Sequence, residues 1–264
     1  MLWKGCWHID KKRILLTGAN GRIGSEVLKS FRNTENYDII AIDRKPNDQE
    51  KIMEVDVCDY ESVCQVMEGI DTVIHLAWYL GKDQFKETIL PVNIEGTYHV
   101  YEAARMYGVK RIIFGSSTHV TGYYKNDERV TPESPYRPDS LYGLGKCYGE
   151  LIGRMYADKY DISSIQVRIG NYNKRSKPRT IHNSRMWISQ RDCAELFRCC
   201  VEADEKIRYL ALYGVSANQD NLWDIGYLQD LIGYRPLDNS CMFAEELVYE
   251  HDETGYQGGE FINL

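Results

Sequence analysis

Tyr142 and Lys146 stand four residues apart in LYGLGKCYGELIGRMYADKY (141–160). On a helix that spacing puts both side chains on one face. A tyrosine hydroxyl, with an ordinary pKa of about 10, is a poor base at neutral pH. An ammonium beside it, joined by a cationic nicotinamide ring, favours the phenolate and lowers that value. Such a phenolate can take the proton of a substrate hydroxyl while hydride leaves the same carbon. Tyr–Lys pairs on solvated helices are common, so the pair acquires meaning only in company. FGSSTHVTGYY (114–124) places Ser116 and Ser117 at the end of a strand, where a serine hydroxyl can hydrogen-bond a reacting oxygen. GANGRIG supplies Gly18, Gly21 and Gly24 between a strand and a helix. Glycines there permit a tight turn, close approach to a pyrophosphate and tight helix packing, and the helix N-terminus can hold the phosphates. Asp43 follows at the end of the next strand, the position that grips a ribose 2′-hydroxyl. Its carboxylate repels a 2′-phosphate, which favours NAD over NADP even with Arg44 next door.

Those residues need a scaffold, and the hydrophobic pattern provides one. Strand patterns at 13–18, 37–43, 51–57, 71–78, 109–117 and 163–170 alternate with helical spacing at 21–31, 60–69, 93–108 and 141–160. Near-continuously apolar strands alternating with helices imply an α/β fold, its parallel sheet covered on both faces. The order fits a Rossmann-type doubly wound sheet. Residues 1–170 are thereby assigned to an NAD-binding domain. Beyond 170 come a loop, a helix over 189–203 with Ser189 as N-cap, a strand over 206–214 and a helix over 223–233. They form a small substrate-binding region, 171–264, packed on the same body. The tail HDETGYQGGEFINL is polar and glycine-rich and reads as loosely held. MLWKGCWHIDKK reads as a short arm before the first strand, pinned by Trp3 and Trp7. Gly145, Gly149 and Gly153 form a small-residue stripe on the Tyr142 helix, open to close approach by the protein's own sheet or by a second copy.

The chain has 264 residues, 43% hydrophobic and 27% charged, with a formal net charge of −7. That length can bury a sizeable core, and the acidity argues against a nucleic-acid partner. No run reaches the roughly 18 apolar residues of a membrane span, and the N-terminus lacks the apolar stretch of a signal peptide. The eight cysteines include no CxxC pair and no zinc-spaced Cys/His cluster. No metal is expected, and the thiols read as reduced residues of a cytoplasmic protein.

The glycine turn, Asp43, DVCD (56–59), VIHLAW (73–78), VNIEGT (92–97), the serine-bearing strand and YxxxK together resemble the extended short-chain dehydrogenase/reductases. This is the NAD-dependent epimerase/dehydratase family, and the resemblance spans residues 13–170. It implies that Gly18, Asn20, Gly21, Arg22, Ile23 and Gly24 surround the pyrophosphate, with Asp43 and Arg44 at the ribose. Asp56 and Val57 would meet the adenine, and Leu76, Ala77, Trp78 and Ile169 would lie along the cofactor. Ser117, Tyr142 and Lys146 would be the catalytic trio, with Asn93 supporting the lysine; Asn93, Tyr142 and Lys146 would also touch the cofactor.

Within the family, SSTHVTGYY, RPDSLYGLGK, VRIGN, WIS and WDIGYL are most similar to the uronate dehydrogenases. That implies NAD-dependent oxidation of a hexuronate such as glucuronate or galacturonate at C1 to the aldarolactone. Ser117, Thr118, His119, Tyr142 and Asn171 would then contact the sugar. Family members usually have Ser where this chain has Gly145, and the uronate enzymes have Asn where it has Thr118. They commonly dimerise through the Tyr142 helix and the one before it, which implies a homodimer. A sugar-phosphate dehydrogenase and a sugar-nucleotide 4-epimerase or dehydratase are the alternatives. The small C-terminal region counts against a nucleotide-sugar substrate, and the intact trio counts against a non-catalytic dinucleotide sensor.

NYNKRSKPRTIHNSRM (171–186) holds five Lys or Arg and no acid. Following the sixth strand, it is expected to wall the nicotinamide end of the site. Five cations there would draw in an anionic sugar, and an arginine could clamp its carboxylate. Matched against the uronate dehydrogenases, the carboxylate-binding arginine corresponds first to Arg185 and second to Arg179, while His182 fits an ungapped alignment.

Overall fold

The computed structural model describes residues 11–80, 84–248 and 254–263; the arm carrying Trp3 and Trp7 lies outside them. Seven strands form one sheet: β1 (Lys12–Thr17), β2 (Tyr37–Asp43), β3 (Ile52–Glu54), β4 (Thr72–His75), β5 (Arg111–Ser117), β6 (Ser163–Ile169) and β7 (Tyr209–Gly214). Every pairing is parallel, in the order β3-β2-β1-β4-β5-β6-β7. The chain winds outward from β1 and then returns to β4, which opens a crevice at the C-terminal ends of those two strands. Helices α1 (Gly24–Arg32) and α6 (Gln190–Glu202) cover one face, burying Val27, Leu28, Phe31, Leu196 and Phe197 with Ile113 and Ile165. Helices α2 (Tyr60–Gln65), α3 (Gly96–Met106) and α4 (Leu141–Tyr160) cover the other with Val63, Tyr101, Ile152 and Tyr156. Residues beyond 170 add the short α5 (Ile181–Ser184) and supply β7 and α6, which complete the same layers.

Several strands pair over less chain than their apolar runs cover. The 51–57 run pairs only at Ile52–Glu54, and the 71–78 run only at Thr72–His75. The surplus residues, among them Asp56, Val57, Leu76, Ala77 and Trp78, run on past the sheet into the crevice. An apolar run reports burial, and a ligand cleft buries residues as a sheet does. The helix read at 93–108 begins earlier, as a π-helix over Phe85–Glu95 that contains Pro91 and leads into α3. Of the 223–233 helix only α7 (Leu228–Ile232) forms, closed by Gly233. Trp223 instead stacks on Tyr213, centroids 4.6 Å apart, beside Val130, Met186 and Val215.

One expectation is corrected, and the two open readings of the glycine stripe are decided. The described part of the tail, 254–263, is docked rather than loose. Gln257 is 3% exposed. Its N–H donates to Tyr124 O, and the Gly258 N–H donates to Gly122 O, both at 2.8 Å. Polar, glycine-rich composition signalled mobility, yet here the glycines let backbone press against Asp139, whose carboxylate a Cβ on Gly258 or Gly122 would overlap. The glycine stripe of α4 faces inward: Gly145 meets Trp78, Gly149 meets Phe114, and Gly153 meets Gln166 and Ser164. The outward sides of α3 and α4 carry exposed Tyr98, Met106, Leu144, Leu151 and Met155 instead. Among the described residues no helix is long and apolar enough to cross a membrane.

Candidate active site

The crevice is built by the turn after β1. Gly18 has φ +69°, and a Cβ there would lie 2.6 Å from the Ala77 N, so only glycine permits this backbone and this closeness. The Gly21 N–H donates back to Gly18 O at 2.9 Å. Asp43, at the end of β2, accepts from the Asn20 N–H at 3.1 Å and the Lys45 N–H at 3.2 Å. These bonds aim a carboxylate along the turn. Gly18, Gly21, Asp43, Arg44, Asp56, Val57, Leu76, Ala77 and Trp78 line one continuous cleft with Thr17, Ile42, Val55, Tyr79 and Val92. Arg22 and Ile23 stand at the entry to α1, and the Tyr172 hydroxyl donates to Arg22 O at 3.0 Å, bringing the 171–186 stretch beside the turn. A cradle that rejects a Cβ, N–H groups at a helix start and an acid on β2 fit an adenine dinucleotide. Ile169 is buried where β6 ends.

At the inner end of the cleft, strand alternation separates the two serines. The Ser116 hydroxyl donates at 2.5 Å to Glu150, inside the protein. Ser117 points the other way, its hydroxyl accepting from the His119 N–H at 3.4 Å and acting on the Tyr142 hydroxyl. Ser140 caps α4, accepting from the Gly143 N–H at 3.1 Å, and so fixes the turn that carries Tyr142. Burial raises the Tyr142 pKa above its ordinary value; the Ser117 hydroxyl opposes this and nearby Asp139 adds to it. Lys146 is 4% exposed and donates to Gly115 O at 2.5 Å. Burial pushes its pKa well below the usual lysine range, partly offset by Glu150 one turn further along α4. The Asn93 amide is committed elsewhere: it accepts from the Tyr79 N–H at 2.8 Å and donates to Tyr79 O at 3.0 Å, which pins the backbone just after Trp78.

The wall beyond Tyr142 comes from two places far apart in sequence. His119 Nδ1 lies 2.6 Å from Asp139 Oδ2, which leaves Nε2 as the available ring nitrogen. Phe261, from the tail, stacks on the His119 ring at 3.9 Å and lies 6.0 Å from the Tyr142 ring. Neither Asp139 nor Phe261 was picked out by motif. Asp139 had a signal, its place in RPDS two residues before the capped helix, whereas nothing local marks a phenylalanine near the end of the chain. Thr118 is buried under this wall, its carbonyl accepting from Thr121. Asn171 joins the 171–186 stretch to Trp187 through backbone pairing. Arg185 is half-buried, its Nε donating to Asp220 O at 3.4 Å. The Arg179 carbonyl accepts from the Val248 N–H, and its side chain is exposed. Lys177 pairs with Glu246 at 2.9 Å, so one cation of the stretch is balanced within the chain.

The model of the NAD dependent epimerase/dehydratase family matches residues 14–231. The chain belongs to that family. NAD is its cofactor, and the chain is an NAD-dependent oxidoreductase. Relatives span nearly all of it. An NAD-dependent glucose-6-phosphate dehydrogenase of Haloferax volcanii is 37% identical, covering 88% of this chain and 96% of its own. A uronate dehydrogenase of Pseudomonas syringae is 35% identical, covering 95% and 93%. The structure is similar to that of the Agrobacterium tumefaciens uronate dehydrogenase Y136A mutant complexed with NAD. The TM-score is 0.87 and the identity 34%, over 96% of this chain and 98% of that one.

Proposed function

We propose that this chain oxidises the C1 hydroxyl of a cyclic hexuronate, glucuronate or galacturonate, to the aldarolactone. The observation that carries the reading is the Ser117–Tyr142 hydroxyl pair at the inner end of the dinucleotide cleft, beside the His119–Phe261 wall. NAD, when bound, supplies the hydride acceptor. The Tyr142 phenolate takes the C1 hydroxyl proton, Ser117 holds that oxygen, and the Lys146 ammonium favours the phenolate. His119, oriented by Asp139, offers Nε2 to a sugar oxygen, while Phe261 covers an apolar face of the ring. Thr118 and Asn171 serve the sugar hydroxyls. Arg185 and Arg179 are assigned to the substrate anion, with Arg185 the first candidate. Asn93 supports Lys146 through the backbone it pins.

A sugar-phosphate dehydrogenase is the second reading, favoured by the glucose-6-phosphate relative, and it keeps the same C1 chemistry and an anionic substrate. Assays of glucuronate, galacturonate, glucose 6-phosphate and glucose, each with NAD and NADP, decide between them. Uronate-dependent NAD reduction is expected. Turnover of glucose 6-phosphate alone selects the second reading, and no turnover of any of the four removes both. With the active sugar, Phe261→Ala is expected to raise KM about tenfold while changing kcat less.

Homodimerisation is proposed through the exposed apolar sides of α3 and α4, the faces left uncovered once the glycine stripe turns inward. Leu151→Glu, placing a charge on that face, is expected to shift the sedimentation coefficient from dimer to monomer; a monomeric wild type would end the idea. A reducing, cytoplasmic setting fits the free thiols Cys58, Cys64, Cys147, Cys193, Cys199, Cys200 and Cys241.

A further inference from the structure

We infer that Trp78 is a positioning residue for Lys146, and that glycine at 145 is its steric counterpart. The Lys146 Nζ lies 3.6 Å from the centroid of the Trp78 indole, nearer than to Phe114 at 4.8 Å or Tyr142 at 5.8 Å. An ammonium has three N–H donors, and the Gly115 carbonyl takes one of them. The indole face offers the rest of the charge a favourable surface, and such contacts gain strength where water is excluded. The indole is itself held by rings. It stands edge-on to Phe114 at 5.6 Å and to Tyr142 at 6.5 Å. Its Nε1 is buried without a hydrogen-bond partner among the described residues, so ring packing rather than a polar tether sets its orientation.

Gly145 makes this placement possible. A Cβ there would stand 3.1 Å from Trp78 Cζ2 and 3.6 Å from Cη2. Those two atoms belong to the six-membered ring of the indole. A serine hydroxyl would extend further and push that ring off Lys146. Glycine is a poor residue for a helix interior, so the helix forfeits intrinsic propensity here and gains the close approach of the indole. The glycine at 145 and the bulky residue at 78 thus form one arrangement. Its role is to hold a dry, oriented ammonium 5.8 Å from the centre of the Tyr142 ring.

The inference rests on the proposed role of Tyr142 and Lys146, and its test separates the two. With NAD and whichever of the four sugars wild type oxidises, Tyr142→Phe must lower kcat by about a thousandfold; a wild type active on none of them, or a Tyr142→Phe variant near wild-type kcat, removes the reading and the inference with it. Given that result, Gly145→Ser is expected to lower kcat about tenfold with the NAD dissociation constant changed less than about twofold. Phe lacks the ring that carries Cζ2 and Cη2, so Gly145→Ser combined with Trp78→Phe is expected to return to within about twofold of Trp78→Phe alone.

Trp78→Leu keeps an apolar side chain but removes the aromatic face. The other groups facing Lys146 are Tyr142 and Glu150 on its own helix and His75 on β4; Glu150 is itself paired with Arg168 on β6. None of them changes in these variants. Losing the ring face disfavours the ammonium, so the alkaline limb of the kcat–pH profile is expected to move to lower pH in Trp78→Leu and to stay in place in Trp78→Phe. Wild-type kcat in Gly145→Ser, strictly additive losses in the double variant, or an unmoved limb in Trp78→Leu would each overturn the inference. Thermal melts check the fold of every variant, and the Gly145→Ser and Trp78→Phe set decides the matter alone if Trp78→Leu does not fold.

Discussion

Tyr142→Phe is expected to lower kcat by about a thousandfold, within the range for loss of a positioned acid–base group. The substitution removes one oxygen and leaves the ring, so its packing against Trp78, His119 and Phe261 survives. NAD affinity should therefore stay within about twofold, because the turn at Gly18 and the carboxylate of Asp43 are untouched. Steady-state rates and a dinucleotide titration measure the two quantities separately. The sign of the pH effect follows from the site. Burial raises the Tyr142 pKa, and ionisation gives the active base, so kcat climbs with pH along an acidic limb. Lys146→Met removes the cation that favours the phenolate, and that limb should move to higher pH. A limb that stays in place would assign it to another group.

The architecture was legible because each level agreed. Apolar strands alternating with helices gave the doubly wound sheet, and the glycine turn with Asp43 located the cleft. The Tyr142–Lys146 spacing placed the two side chains on one helix face. Three things were not legible, each for a physical reason. Strand ends could not be told from cleft walls, since Leu76 and Ala77 are as apolar as the strand they follow. Residue type alone leaves Ser116 and Ser117 equal, since the choice depends on register, which flips with every residue along a strand, and only the family resemblance pointed to Ser117. The docking of Phe261 on His119 spans more than half the chain, and contacts between such distant segments leave no local periodicity to read. The glycine stripe shows the same limit from another side: spacing revealed a small-residue face, and only packing showed that Trp78, Phe114 and Gln166 fill it.

Arg168→Met is expected to be strongly destabilising, because of what lies beneath Ser117. Arg168 is 1% exposed and Glu150 0%. The guanidinium donates to Glu150 Oε1 at 3.0 Å and to Oε2 at 2.8 Å, and its third nitrogen reaches the Tyr213 hydroxyl at 3.2 Å. Ser116 and Tyr136 donate to the same carboxylate, at 2.5 and 3.0 Å. Such a pair is not a large net stabiliser, since desolvating both charges consumes much of their attraction. Removing one partner, however, strands the other and costs about 3–5 kcal/mol. Adding Glu150→Gln deletes the stranded charge and keeps one acceptor oxygen, enough for one of the two hydroxyls that donate to the carboxylate, Ser116 or Tyr136. The double variant should then recover at least about 1–2 kcal/mol of the loss. Midpoints of urea unfolding measure both numbers. The consequence reaches the chemistry, because Ser116 adjoins Ser117 on β5 and Glu150 lies one turn beyond Lys146 on α4. The single variant should therefore lose kcat even at temperatures where it remains folded, and the double variant should regain part of it. Equal stability of Arg168→Met and wild type would overturn this account of the pair.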